Sequence, residues 1–510
     1  MYEVNNTMPL FFWGKETSTK MGRDPLAVQN SSVVIYSNIV RGITNVTARV
    51  RYNGFFCWII SFIAERLYKI NPNLKYTTDE LIRYIRRGEL LLAYEMVYNY
   101  PQVGGVSGSL FVQQKMSEGV LNLAKGADIE NKPEKLYWEN SRGIFGQYYV
   151  GVLTELGLIR QPSGGFTYKV TPDGERLGKI FGESLSESQK DIFWNAIYKG
   201  TIEKEILAEL KGISLHIIDN EEELSEYTRV FCQSDGKDMA GTDLFRRLKT
   251  IRLLMRFISG DGNDIPRNKL VLSFLKYNFL DSLNSALEVS EEQMSWFLYE
   301  LNELSHSAYE AFHFALLKTI KDEPQPLDLV MSQLQGEYES SSSDVELPED
   351  IYGLYDKIQE SYADKDNGTL LLTAAELLIV LYRSIKGFFT TIDKYSEPEG
   401  YDSQNGYAPI LLKELVGVDS QENNWDFVEA CLVNAINDHL RSSYAKSTVG
   451  QGIVHNYMFE DGLIWRMRNT FPIRTSPRLQ NVLQYIEDIK WIEKREECYD
   501  VTERGQKILV

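Results

Sequence analysis

The sequence predicts a mainly α-helical protein with small β-hairpins, a helical bundle carrying two winged-helix-like modules. Three observations carry this reading. Long apolar stripes recur at helical spacing, capping boxes stand at Thr77/Glu80 and Ser290/Gln293, and one helix, hairpin and capped-helix order occurs twice. With 510 residues, 43% of them hydrophobic, the chain is long enough for about three domains and a substantial core.

Residues Met1 to Val40 mix Gly, Pro, Ser and Asn with the short apolar patches LFFW and VVIY, which reads as an irregular arm or a strand pair. The chain then reaches the stretch around which the first part is organised, Arg41 to Trp58, RGITNVTARVRYNGFFCW. Gly42 frees the backbone, Thr44 or Asn45 offers a helix cap, and a long helix is expected from about Val46 to Lys69. A second begins after Thr77, with Leu81, Tyr84, Leu91 and Tyr94 as its buried stripe and Arg83, Arg86 and Arg87 as a solvated face or partners of Glu89 and Glu95. The loop Gly104 to Ser109 lacks the lysine and the spacing of a nucleotide loop, so it reads first as a turn and second as an anion cradle.

From Ser141 to Phe181 the order is helix (IFGQYYVGVLTELG), strand (LIR), glycine-rich turn (QPSGG), strand (FTYKV) and a helix opened by Thr171-Pro172. That is a winged-helix order. The C-terminal residues repeat it: SPRLQNVLQYIED, WIE, a charged turn, CYDV, then Thr502 capping ERGQKIL. In detail Val152-Leu153 aligns with Val482-Leu483, Leu158-Ile159 with Trp491-Ile492, and Val170 to Gly174 with Val501 to Gly505. Between the copies, long helices are expected from Ser290 to about Lys321 and from about Thr369 to Tyr395, separated by the Ser-rich acidic stretch Glu337 to Asp350. The division that follows is 1–135, a helical domain with its arm; 136–200, the first winged helix; 201–336, helical; 337–350, an acidic linker; 351–445, a bundle; and 446–510, the second winged helix.

The net charge is −18, yet the first 150 residues carry +4, which argues against wholesale wrapping of nucleic acid and leaves room for a local basic face. The four cysteines are widely spaced and read as reduced cytosolic thiols. The most lipid-like run, Leu370 to Phe389, is interrupted by Glu376, Arg383 and Lys386, so it reads as a buried helix, with a cytoplasmic location and no membrane partner.

No catalytic constellation is legible. His216, His306, His313, His439 and His455 form no metal motif, and neither a nucleophile elbow nor a phosphate-loop lysine is present, so no catalytic residue, metal or cofactor is assigned. Scattered carboxylates such as Glu487 and Asp488 with Lys490 leave a nuclease-type effector with an unrecognised site as one alternative. Binding offers more. A winged helix can place the helix before its hairpin in a DNA major groove, so Gln480, Asn481 and Gln484 are candidate base readers, with Arg466, Arg468, Arg474 and Arg478 on phosphates. Arg142, Gln147, Arg160 and Lys169 are their counterparts in the first copy. Arg41, Arg49 and Arg51, at the entry to the core helix, are candidate contacts for an anion or a partner's carboxylate, or else internal ion pairs. Winged helices also serve as protein-interaction modules.

The order Trp13-Gly14, Asp24-Pro25-Leu26, then Arg41-Gly42-Ile43-Thr44-Asn45 with Thr47, Arg49, Arg51-Tyr52 and Trp58 resembles an uncharacterised family of bacterial proteins from antiphage defence islands. Arg86-Arg87-Gly88-Glu89, the Gly104 to Ser109 loop and the first YYxxxLxxLGLI hairpin fit the same pattern, which runs over roughly the first 180 residues and thins through the middle. The resemblance implies a non-catalytic scaffold or adaptor working beside an ATPase, helicase or nuclease subunit; double-stranded DNA as a further partner is the expectation of the winged-helix modules. It carries no catalytic residue. The other alternative is a stand-alone winged-helix DNA-binding regulator.

Overall fold

The computed structural model describes residues 24–46, 48–72, 77–131, 135–160, 168–238, 240–364, 366–417, 422–448 and 454–509. The fold is mainly α, with strands only in short two- and three-stranded pieces among the described residues. It divides into two compact units, one of residues 1–35 and 278–475 and the other of 36–277 and 476–510. These cuts differ from the sequence-derived division. A stretch expected as one module, 446–510, is shared between the units, because its hairpin Tyr457–Glu460/Leu463–Arg466 pairs with Gln325–Pro326 in the first unit.

In the unit of 278–475 the organising element is the helix Glu291–Thr319, opened by the expected capping box at Ser290 and Gln293 and buried along almost its whole length. Helix Asn367–Ile385 packs against it and against Leu327–Asp344 and Ile351–Asp364. Asn367–Ile385 is long and apolar enough to cross a bilayer, and 72% of that stretch is buried within the protein. Two expectations change here. The helix expected from Thr369 to Tyr395 is two helices, ending at Ile385 and restarting at Phe389–Glu399. The stretch expected as an acidic linker is helical as far as Asp344. Tyr338 is buried against Trp425, and the serines add bonds to the preceding turn, with Ser342 and Ser343 donating to Glu339 O. Only Val345–Asp350 leaves the helix.

In the other unit, helix Arg51–Ile70 is the core: every residue from Arg51 to Ile60 is buried. It meets helix Pro172–Glu183 closely enough that a side chain at Gly178 would sit 2.8 Å from the Trp58 nitrogen, so glycine is required at that contact. Phe55, Phe56, Trp58, Phe62, Phe181 and Phe193 fill the space around it, Trp58 and Phe62 stacked and the other contacts tilted or edge-on. The helix starts at Arg51, not Val46: no side chain caps it, and Gly42, Ile43, Thr44 and Val50 before it are held by partners from outside. The patch VVIY is helical too, within Gln29–Ile39, which corrects the arm-or-strand expectation; residues 1–23, with LFFW and Trp13-Gly14, and Thr47 lie outside the described residues. Helix Thr78–Asn99 has the expected Thr77/Glu80 capping box.

The two winged-helix copies share their hydrogen bonds where the helix meets the hairpin. In the first, a π-helical turn Phe145–Tyr149 leads into helix Val150–Glu155, strands Ile159–Arg160 and Lys169–Val170, and helix Pro172–Glu183; the turn QPSGG is outside the described residues. In the second the order is helix Leu479–Asp488, strands Ile492–Arg495 and Cys498–Val501, and helix Glu503–Leu509. Leu158 N donates to Leu153 O at 2.8 Å, and Trp491 N to Ile486 O at 2.8 Å. Thr171 Oγ1 donates to Gly157 O at 2.6 Å, and Thr502 Oγ1 to Lys490 O at 2.6 Å. Gly157 and Lys490, both left-handed at φ 69° and 60°, end the two helices. The equivalent of Leu153 is therefore Ile486, three residues beyond the Leu483 expected from the sequence alignment, nearly one helical turn. The pairing of Leu158-Ile159 with Trp491-Ile492 stands.

Candidate functional site

The turn Arg41–Val50 is clasped from both sides by the winged-helix copies. From the first copy, Glu155 Oε2 accepts the Gly42 N–H at 2.7 Å, while Leu156 packs so tightly on Gly42 (φ 77°) that a side chain there would collide with it. From the second copy, Arg478 Nη1 donates to Ile43 O at 2.9 Å and Asn481 Nδ2 to Thr44 O at 2.5 Å. Asp488 then takes the Val50 N–H at 3.2 Å and the Arg49 guanidinium at 2.7 Å. Asp488 is nearly buried, so desolvation pushes its carboxyl up to about 7 against the opposing pull of Arg49.

Each arginine of the entry has its own task. Arg51, buried, forks onto Glu223 at 2.7 and 3.1 Å and donates to Gly212 O, Ser214 O and Ser184 Oγ. This is the internal-pair reading of the residue, in a geometry that suits guanidinium and not ammonium. Arg41 is half-buried, and its carbonyl accepts from Arg247 at 3.0 Å. Arg49, beyond its pair with Asp488, donates through Nε to Gly104 O at 3.2 Å. It thereby ties the core entry to the glycine turn Gly104–Gly105.

Arg49, Gly104, Gly105, His216, Gln480 and Lys490 line an open cleft of 790 Å³ in this unit. Most of its charges are spent on one another. Lys494 meets Glu487 at 2.6 Å, Tyr499 donates to Glu487 at 3.2 Å, and Gln484 donates to Asp488 at 3.0 Å. Burial, with Arg49 and Arg51 nearby, keeps the His216 imidazole below its ordinary range and so uncharged near neutrality. Lys490 is exposed and has no ion pair among the described residues. Glu487 and Asp488 are thus engaged with cations and N–H groups, and among the described residues no cluster of His, Cys, Asp or Glu is arranged to hold a metal.

The remaining candidates fall into three groups. Arg474 is drawn into the fold by Glu300 and Glu303, and Arg466 pairs with Asp322 at 2.8 Å, both in the unit of 278–475, where half-buried Arg468 also lies. Arg478 and Asn481 are engaged on the turn Arg41–Val50, leaving Gln480 as the exposed amide of its helix. In the first copy, Arg142, Gln147, Arg160 and Lys169 are all exposed, with Arg160 and Lys169 directly paired across the hairpin. Arg142 reaches Tyr168 Oη at 3.4 Å, and Gln147 accepts from Trp138 at 2.7 Å.

Arg86 and Arg87 are not the solvated face expected of them. Arg86 is buried and donates to Ala127 O, Trp138 O and Asn140 O, and Arg87 forks onto Asp128 at 2.9 and 2.5 Å. Glu89 accepts the Ile144 and Phe145 N–H groups at 3.1 and 2.7 Å, capping the first winged-helix helix, and burial pushes its carboxyl up to about 7. Sequence reasoning missed Lys494 and His216 as cleft residues, for they come from a strand and a loop with no local signature. Comparison with family models, with curated proteins and with solved structures returns no match to this chain.

Proposed function

We propose that this chain is a non-catalytic scaffold or adaptor subunit of a bacterial antiphage defence complex, acting through protein contacts. The observation that supports this reading is the engagement of the second winged-helix helix: Arg478 and Asn481, which would read or position DNA, hold the carbonyls of Ile43 and Thr44 instead. A helix bonded in this way has little left to offer a major groove. Among the described residues, the polar, charge-paired cleft beside it holds no nucleophile set against a base. Co-expression with the products of its neighbouring genes, followed by size-exclusion chromatography, should give a stoichiometric complex; a chain that elutes alone from every such combination overturns the proposal.

Duplex contact is a second reading, favoured by one specific observation. Arg160 and Lys169 lie side by side on the first hairpin, exposed and without an acidic partner among the described residues. On this second reading the DNA face is the first copy and not the second.

A further inference from the structure

Charge divides unevenly along the chain. Residues 1–35 and 278–475 carry a formal −20 and the rest +2, which together make the −18 of the whole. In this acidic unit a groove of 610 Å³ is lined by helices Ala408–Val416 and Trp425–Thr448 and the loop before them. Its floor is apolar, with Val28, Tyr407 and Leu411 buried and Ile410 exposed at 37%.

Its rim is polar and unspent. Asp402 and Glu414 are exposed and have neither a hydrogen bond nor an ion pair among the described residues, while Asp438 is occupied by Arg441 at 2.7 Å and Tyr309 at 2.8 Å. The carboxamides of Asn405, Asn434 and Asn437 are likewise exposed and make no hydrogen bond among those residues. Each carboxamide offers two donors and an acceptor, the complement of a peptide unit's C=O and N–H. An occupant must match these groups to replace their water without loss, which an extended polypeptide does and a helix with its backbone closed on itself does not. Free carboxylates in a strongly acidic unit select lysine and arginine and repel phosphate.

We propose that this groove binds an extended basic segment of a partner protein, with one apolar side chain seated at Ile410 and Leu411 between cationic residues that face Asp402 and Glu414. The proposal rests on the scaffold reading only in assigning the segment to another protein.

The test is fluorescence anisotropy of the full chain with a labelled pentapeptide of leucine flanked by two lysines on each side, and with its glutamate counterpart. The lysine peptide should bind and the glutamate peptide should not. Asp402→Asn and Glu414→Gln should each weaken the lysine peptide about 2- to 5-fold, as expected for exposed ion pairs. Both residues are exposed, so the fold should be retained. As the control, Glu346→Gln or Glu349→Gln removes the same single charge from an exposed position outside the groove and should change nothing. Equal weakening by that control would mean diffuse attraction and overturn the proposal, as would indifference to Asp402→Asn and Glu414→Gln. A shift of oligomeric state in the Glu414→Gln protein would assign the groove to a second copy and also overturn it. Because the peptide is supplied, the result is independent of whether a neighbouring gene product co-purifies, and the two proposals fail separately.

Discussion

Glu155 and Asp488 stand at the same position of two winged-helix modules, and each carboxylate accepts a backbone N–H from opposite ends of one turn, Gly42 at 2.7 Å and Val50 at 3.2 Å. A segment that looks in sequence like an anion-binding loop is thus held by two acidic side chains of its own chain. The basic character of Arg41–Arg51 is answered largely from within.

The Arg51–Glu223 pair should be the most costly single contact to break in this unit. Its side chains are only 4% and 1% exposed, so Arg51→Ala leaves a buried carboxylate without its cation and should cost about 3–5 kcal/mol, with Arg51→Lys failing to restore it fully. Arg83→Ala, on a 3.9 Å pair that is largely exposed, should change stability by less than about 0.5 kcal/mol. Denaturant melts of the three variants would settle the order, and equal effects for Arg51→Ala and Arg83→Ala would refute it.

Glu89 makes the fold sensitive to pH in a defined direction. Its folded-state value is raised to about 7, so the folded protein holds a proton that the unfolded chain releases near pH 4. Its stabilising contribution is complete below about pH 4 and is lost as pH rises through about 7, at no more than about 1.4 kcal/mol per pH unit. Glu89→Gln should flatten that part of the stability profile, and a variant whose profile keeps the wild-type slope would refute the assignment. Glu95 and Asp488 are raised to about 7 as well, so some slope should survive in the single variant.

Lys490 occupies a left-handed position, φ 60°, where the first copy has Gly157. Lys490→Gly should therefore stabilise the second module by up to about 1 kcal/mol, and Gly157→Ala should destabilise the first by a similar amount. Opposite signs in thermal melts are the expected outcome.

Duplex binding, if measured, should depend on the first hairpin. Replacing both Arg160 and Lys169 by alanine should reduce the salt slope by about 2, at roughly 0.9 per phosphate contact, whereas Arg474→Ala and Arg478→Ala should lower stability first. Their guanidinium groups are committed to Glu300 and to Ile43 O. A slope changed only by the second pair would restore the C-terminal module as the DNA face.

What was legible in the sequence was whatever local chemistry fixes. Thr77 with Glu80, Ser290 with Gln293, and Thr171 and Thr502 before their glycines all cap helices as read, because a cap is settled within four residues. The register of the repeat slipped by three residues because Leu483 and Ile486 lie on one buried face, so apolarity alone cannot choose between them. The serine run was misread because its order comes from Tyr338 packing on Trp425, 87 residues away, and composition does not carry that contact. The candidate site was least legible of all. Arg49 meets Asp488 across more than four hundred residues, and Asp402 and Glu414 become a rim only when the helices around them are placed.

The unit that begins at Tyr36 is completed only by Ser476–Val510. During synthesis the turn Arg41–Val50 leaves the ribosome more than four hundred residues before Arg478, Asn481 and Asp488 and must wait for them before its carbonyls and N–H groups find their partners. At roughly 5–20 residues per second that wait is tens of seconds, during which the other unit can close first. A stop codon between Thr475 and Arg478 would therefore be felt at the turn that leads into helix Arg51–Ile70, more than four hundred residues upstream, because it removes all three partners.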